Sequence, residues 1–265
     1  MPYAGGKQKV ATRIVSLFPE HLHYVEPYAG GLAVLFAKEP SHIETVNDLD
    51  RELMTFWRVL RDDPEGLERM CALTPHSRAL LADVRHVTGG TDLERAWRVW
   101  VKITQSRGSR TDTSSGWRFV HGTNKCSLPT YLHGYLERIA PDAERLMGVS
   151  LECRPALEVI GSYDKPETLF YVDPPYLMGT RYGSQYRHEM GDEASHRELL
   201  DVLLSCRGSV VLSGYWSDLY DTMLTDWRRV DLAATCMTGA ARTESLWLNY
   251  DPPSGNDDGH REKER

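Results

Sequence analysis

Apolar residues fall along this chain in short clusters whose spacing changes from segment to segment. Up to about residue 60 the order reads glycine loop, helix, strand, glycine loop, helix, strand. Residues 11–18 fit a short helix. His23-Tyr24-Val25-Glu26 fits a buried strand ended by Pro27, and residues 31–37 fit a second helix. Residues 43–47 are β-rich and closed by Asp48. Residues 52–61 place Leu53, Phe56, Trp57 and Leu60 on one helical face. From about 62 to 155 the pattern differs. Its front half is helical over 64–73, 77–87 and 92–103. Residues 105–124 are aperiodic and rich in Ser, Thr, Gly and Arg, and a loop of that length is usually functional or disordered. One helix is predicted from 130 to about 147. The α/β rhythm then returns. Leu169-Phe170-Tyr171-Val172 and Ser209-Val210-Val211-Leu212 are uninterrupted runs, as expected of strands covered on both faces. A helix at 196–206 separates them, a helix at 218–227 follows, and 229–233 and 245–250 read as strands. From 251 onward the chain is polar and expected to be disordered.

Composition narrows the class. The chain has 265 residues, 41% hydrophobic and 26% charged, with net charge −7. That fits one large α/β domain, or one carrying an inserted subdomain, and excludes collagen-like, disordered and disulfide-scaffold proteins. The five cysteines are odd in number and widely spaced, without a C-x-x-C pair, so a reducing compartment is expected. The first residues lack the apolar core of a signal peptide, and no apolar run is long enough for a membrane span. A cytoplasmic protein without a membrane partner, monomeric by preference, is the expectation.

Three motifs carry candidate chemistry. Asp173-Pro174-Pro175-Tyr176 directly follows the 169–172 run, putting a carboxylate where open α/β sheets bind ligands. Two prolines fix the turn, so the Pro174 carbonyl is oriented toward a substrate. A carboxylate and a carbonyl offer two acceptors for one exocyclic amino group, and Tyr176 offers a ring face. The same residues also fit a plain strand exit with an exposed aromatic. The second motif is Glu26-Pro27-Tyr28-Ala29-Gly30-Gly31, with Asp48 after the next strand. It is the glycine turn and following acidic residue of nucleotide-binding folds, without the dinucleotide G-x-G-x-x-G. Its carboxylates suit a cationic or neutral nucleoside. The third is Tyr3-Ala4-Gly5-Gly6-Lys7, a flexible loop ending in a cation, which is not a P-loop.

Charge divides the chain. Between residues 94 and 138 eight Lys/Arg stand against three acidic residues, a net of +5 that leaves the remainder at −12. Arg107, Arg110, Arg118 and Lys125 lie there among Trp97, Trp100, Trp117 and Phe119, a mixture suited to phosphates and base edges. A solvated helix face has the same composition. His121, Cys126 and His133 have the wrong spacing for zinc.

The order of these motifs resembles the D12 class of adenine-specific DNA methyltransferases, the Dam-like family, over all but the tail. Ser213-Gly214-Tyr215 and the stretch from Arg242 to Tyr250 add to it. The resemblance implies an α/β fold: a Rossmann-like S-adenosylmethionine-dependent sheet ending in a β-hairpin. Residues 1–61 and 155–250 would form the catalytic domain, 62–154 an inserted, mostly helical target-recognition domain, and 251–265 a tail. The implied activity is methyl transfer from S-adenosylmethionine to N6 of a flipped-out adenine in double-stranded DNA, with restriction–modification as its setting. Tyr3, Gly5, Gly6, Lys7, Glu26, Pro27, Tyr28, Gly30, Asp48 and Asp173 would hold the cofactor. Asp173, Pro174, Pro175 and Tyr176 would hold the base, and Arg107, Arg110, Arg118 and Lys125 the DNA. Family members often carry an acidic residue and an aromatic before the catalytic strand, where this chain has Arg154-Pro155-Ala156-Leu157-Glu158. Cytosine N4 methylation, or an inactive DNA-binding relict of the same fold, remain alternatives on the residues alone.

Overall fold

The structure is a computed structural model that describes residues 1–3, 5–109, 111, 115–119, 128–177, 190–235 and 241–253. Its framework is a seven-stranded sheet. The strands are β1 (His23–Glu26), β2 (Ile43–Asn47), β3 (Val149–Glu152), β4 (Thr168–Val172), β5 (Ser209–Gly214), β6 (Arg228–Thr235) and β7 (Ala241–Leu248). They lie in the order β3-β2-β1-β4-β5-β7-β6. The first five are parallel, and β7 runs antiparallel to both β5 and β6. This is the Rossmann-like α/β sheet with an antiparallel pair at its end that the resemblance implied. Successive β4 residues alternate between two cores. Leu169 and Tyr171 face one, and Phe170 and Val172 the other. Both cores are apolar, which is why the run shows no polar alternation.

Helices cover both faces. On one lie α1 (Ala11–Val15), α2 (Arg51–Asp62), α3 (Pro64–Ala72), α4 (Arg78–His86), α5 (Asp92–Gln105), α6 (Leu128–Leu136) and α7 (Ile139–Leu146); on the other lie α8 (Ala156–Tyr163), α9 (Glu193–Leu204) and α10 (Asp218–Met223). Local chemistry sets their ends. The Asp50 carboxylate accepts from the Glu52 amide at the start of α2, Pro64 occupies the first turn of α3, and Thr91 with Glu94 forms a capping box on α5. Arg95 of α5 reaches Glu52 of α2 at 2.8 Å.

Three sequence expectations change. The helix expected over 31–37 is a series of turns with one 3-10 turn at Leu35–Ala37. Gly30 (φ +47°) and Leu32 (φ +52°) are left-handed, and a right-handed helix cannot propagate through them. The single helix over 130–147 is two, α6 and α7. Pro141 would remove a hydrogen bond and clash with the preceding turn of a continuous helix, but fits the first turn of a new one. The sheet also resumes at Val149, because β3 pairs with β2 inside the segment expected as insert. No helix among the described residues is long and apolar enough to cross a membrane. The tail from 254 lies outside the described residues.

Candidate active site

The strand order reverses between β1 and β4, and ligands of open α/β sheets bind outside the carboxyl ends of strands at such a switch point. A cavity of about 280 Å³ lies there. All ten residues expected to hold a cofactor line it: Tyr3, Gly5, Gly6, Lys7, Glu26, Pro27, Tyr28, Gly30, Asp48 and Asp173. The loop after β3 adds Pro155, Ala156 and Leu157, an apolar wall where the sequence lacks the acidic–aromatic pair. Asn47, Leu49, Tyr171, Met190, Ser195 and Glu198 also line it, and sequence reasoning did not single them out.

Each wall is built locally. Glycine is required at positions 30 and 31 because the N-terminal segment crosses directly over them. A Cβ on Gly31 would lie 2.8 Å from the Tyr3 Cβ, and one on Gly30 would lie 3.2 Å from its ring, besides the left-handed φ. The Trp57 indole on α2 donates to the Gly30 carbonyl at 3.0 Å. Asp48 accepts from the Gly30 amide at 3.1 Å and the Asp50 amide at 2.9 Å, tying the loop after β1 to the start of α2. Asn47 is fully buried. It donates to Pro27 and Arg154 carbonyls at 2.9 and 3.0 Å and accepts from the Arg154 amide, so one side chain fixes the ends of β1, β2 and β3.

The electrostatics centre on the floor. Glu26, 2% exposed, accepts from the Tyr24 hydroxyl at 2.6 Å, and burial pushes its pKa up to about 8 despite that hydrogen bond. Lys7 is buried and donates to both oxygens of Asp173 at 2.8 and 2.7 Å, to the Tyr176 oxygen at 2.6 Å and to the Gly5 carbonyl at 3.2 Å. Burial alone would favour neutral Lys7, but Asp173 and Glu244 overcome it and hold the ammonium protonated. Burial lifts Asp173 above the usual carboxylate range against the pull of Lys7, and Glu244 reinforces the rise. The Tyr171 hydroxyl lies on the cavity wall, buried, with no well-formed hydrogen bond among the described residues.

Tyr176 is not the exposed aromatic of a plain loop exit. It is buried, donates its hydroxyl proton to Glu244, and meets Tyr215 in a T-shaped contact with ring centroids 4.6 Å apart. Pro174 beside it is buried and Pro175 half-buried on the cavity wall. Glu244 also accepts from Ser213 at 2.7 Å. Sequence reasoning placed it just before the strand read at 245–250 and did not single it out.

These donors fit S-adenosylmethionine. The lining offers buried carboxylates that would balance a sulfonium and an ammonium, an acceptor at Asp48 for ribose hydroxyls, and an apolar wall at Pro155–Leu157 for a flat base.

The expected DNA-binding residues separate. Arg107 is exposed at the base of a two-stranded turn in which its amide donates to the Gly116 carbonyl. Arg118, whose amide donates to the Gln105 carbonyl, is half-buried, bonded to Ser109 at 2.9 Å and stacked over Tyr131 at 4.9 Å. Arg110 and Lys125 lie outside the described residues, as do His121 and Cys126.

A family profile described as D12 class N6 adenine-specific DNA methyltransferase matches residues 3–230. The chain is 27% identical over 279 aligned positions to the Type II methyltransferase M1.LlaDCHI of Lactococcus lactis subsp. cremoris, covering 94% of each protein. Among solved structures it aligns with a SAM-dependent methyltransferase from Agrobacterium tumefaciens at TM-score 0.38 and 11% identity, over 93% of this chain and 61% of that one.

Proposed function

The chain belongs to the D12 class of N6 adenine-specific DNA methyltransferases, and from that premise we propose that it moves a methyl group from S-adenosylmethionine to N6 of an adenine flipped out of double-stranded DNA. The observation that carries this reading is that Asp173, at the end of β4, opens onto the same cavity as both glycine loops. When bound, the cofactor supplies an already activated methyl group. Lys7, Glu26, Tyr28 and Asp48 are assigned to its seating, with Tyr3 and the glycines forming the close wall over it.

The chain's own residues then have a defined task. The N6 lone pair of adenine is delocalised into its ring, so N6 is a poor nucleophile. Hydrogen bonds from both N6 hydrogens, to the Asp173 carboxylate and the Pro174 carbonyl, favour a pyramidal nitrogen and stabilise the positive charge that develops on it. Placement in line with the methyl group supplies most of the remaining advantage. The amino group is unreachable inside a duplex, so the base must leave the stack at a cost of about a few kcal/mol.

The test is transfer of a labelled methyl group to a DNA library, followed by identification of the modified base. N6-methyladenine is expected, whereas N4-methylcytosine or no transfer would overturn the reading. Asp173→Ala should abolish transfer and leave S-adenosylmethionine affinity within a few-fold of wild type. Equal transfer by that variant would remove Asp173 from its role.

A further inference from the structure

The arrangement around Lys7 poses a difficulty for the reaction just described, on which this inference rests. Lys7 sits 2.8 and 2.7 Å from the two oxygens of Asp173. An ammonium at that distance largely cancels the carboxylate's field. Asp173 in this state is half of a neutral pair, poorly suited to draw on an amino group that becomes positive. A cation held there would also repel the charge developing on N6.

A second acceptor stands ready. Glu244 projects from β7, the strand whose antiparallel course brings it beside the carboxyl end of β5, with Ser245 opposite Gly214. Its Oε1 is 3.6 Å from the Lys7 nitrogen. Ser213 at 2.7 Å and the Tyr176 hydroxyl both donate to Oε1, fixing the side chain. Oε2 accepts no hydrogen bond among the described residues. Glu244 and Lys7 are 6% and 5% exposed, so the exchange takes place away from solvent screening. Lys7, Asp173 and Glu244 together carry one net negative charge, the sign that complements a positive nitrogen. Without Glu244 the sum is zero.

We infer that Glu244 is the alternate counter-ion for Lys7: as the target base brings its amino group to Asp173, the ammonium moves onto Glu244 and frees the Asp173 carboxylate to accept from that amino group. Glu244 is thus a positioning residue, acting on the reaction through Lys7 and Asp173. No bond is made or broken by it; one proton donor changes acceptor.

The test uses the full chain and a duplex bearing the site found by sequencing the methylated product. Glu244→Gln keeps the shape and the acceptor for Ser213 and Tyr176 while removing the charge. Single-turnover transfer should slow roughly 10- to 100-fold, the lower range for loss of preorganised electrostatics, with S-adenosylmethionine affinity within about twofold. Glu244→Asp should recover part of the rate. A binding measurement provides a second readout. Wild type should bind the adenine duplex more tightly than one whose target base is purine, which lacks the amino group, and Glu244→Gln should lose that preference. Wild-type transfer rate in Glu244→Gln, or an unchanged preference for adenine, overturns the inference. If Glu244→Gln does not fold, Ser213→Ala, which loosens Glu244 but keeps its charge, must slow transfer at unchanged cofactor affinity, and an unaffected rate overturns the proposal equally. Wild type that makes no N6-methyladenine refutes the reading of the enzyme itself, a result distinct from a variant that transfers as fast as wild type.

Discussion

Glu26 shows how a single side chain trades stability for binding. Its pKa lies near 8 in the folded protein against an ordinary 4.5, because burial disfavours the carboxylate. Between those values the folded state holds a proton that the unfolded state has lost. Stability therefore falls as pH rises from about 4.5 to 8, by roughly a few kcal/mol over the window. A cationic ligand beside Glu26 reverses the preference and expels the proton. Binding of S-adenosylmethionine at pH 7 should accordingly release protons, read as a binding heat that varies with the ionisation enthalpy of the buffer. Glu26→Gln should abolish that dependence, weaken cofactor binding, and raise Tm at pH 8.5 by about 5 °C or more. Buffer-independent heat in wild type would place the cationic part of the cofactor away from Glu26. Sequence placed this carboxylate correctly at a strand end. Its ionisation was not readable there, because it depends on Tyr24 and on the closure of the loop above it.

At the level of elements, legibility followed range. β1 and β2 were readable to the residue, since a short β-prone run of four or five residues and a closing proline or aspartate suffice. The cofactor loops were readable because glycine is demanded by a close approach, and Gly31 lies under Tyr3. β3 and α8 were not, because Val149–Glu152 is short, half-exposed edge sequence that becomes a strand only by pairing with β2. The pairing of residues 105–107 with 116–118 was also hidden. Its order comes from distant partners: Gln105 bonds to Pro75 and Ser77, and Arg85 on α4 bonds to Ser106 at 3.2 Å and to the Ser115 hydroxyl at 3.0 Å. Arg85→Ala should leave cofactor affinity unchanged, cost about 1–3 kcal/mol in stability, and speed protease cleavage between residues 107 and 118 by roughly tenfold through local opening. Unchanged cleavage would mean that other contacts hold this pairing.

For the molecule as a whole, net charge −7 averages a basic stretch of +5 over an acidic remainder. The fold does not separate these parts mechanically. One continuous core runs from Val46 and Phe56 beside the sheet to Val99, Trp100 and Ile139 in the middle helices. A polyanion docked on the basic stretch would therefore be held rigidly relative to the cavity, as flipping a base into it requires. Composition could not say which cations face outward, and here the described arginines differ. Arg107 is exposed, whereas Arg118 is committed to Ser109 and Tyr131, and burial lowers its pKa. Each phosphate neutralised contributes about 0.9 to the slope of log affinity against log salt. Arg107→Ala should thus weaken DNA binding and reduce that slope by about 1. Arg118→Ala should lower Tm while leaving the slope within error. A flattened slope for Arg118→Ala with none for Arg107→Ala would turn the other side of the insert toward the duplex.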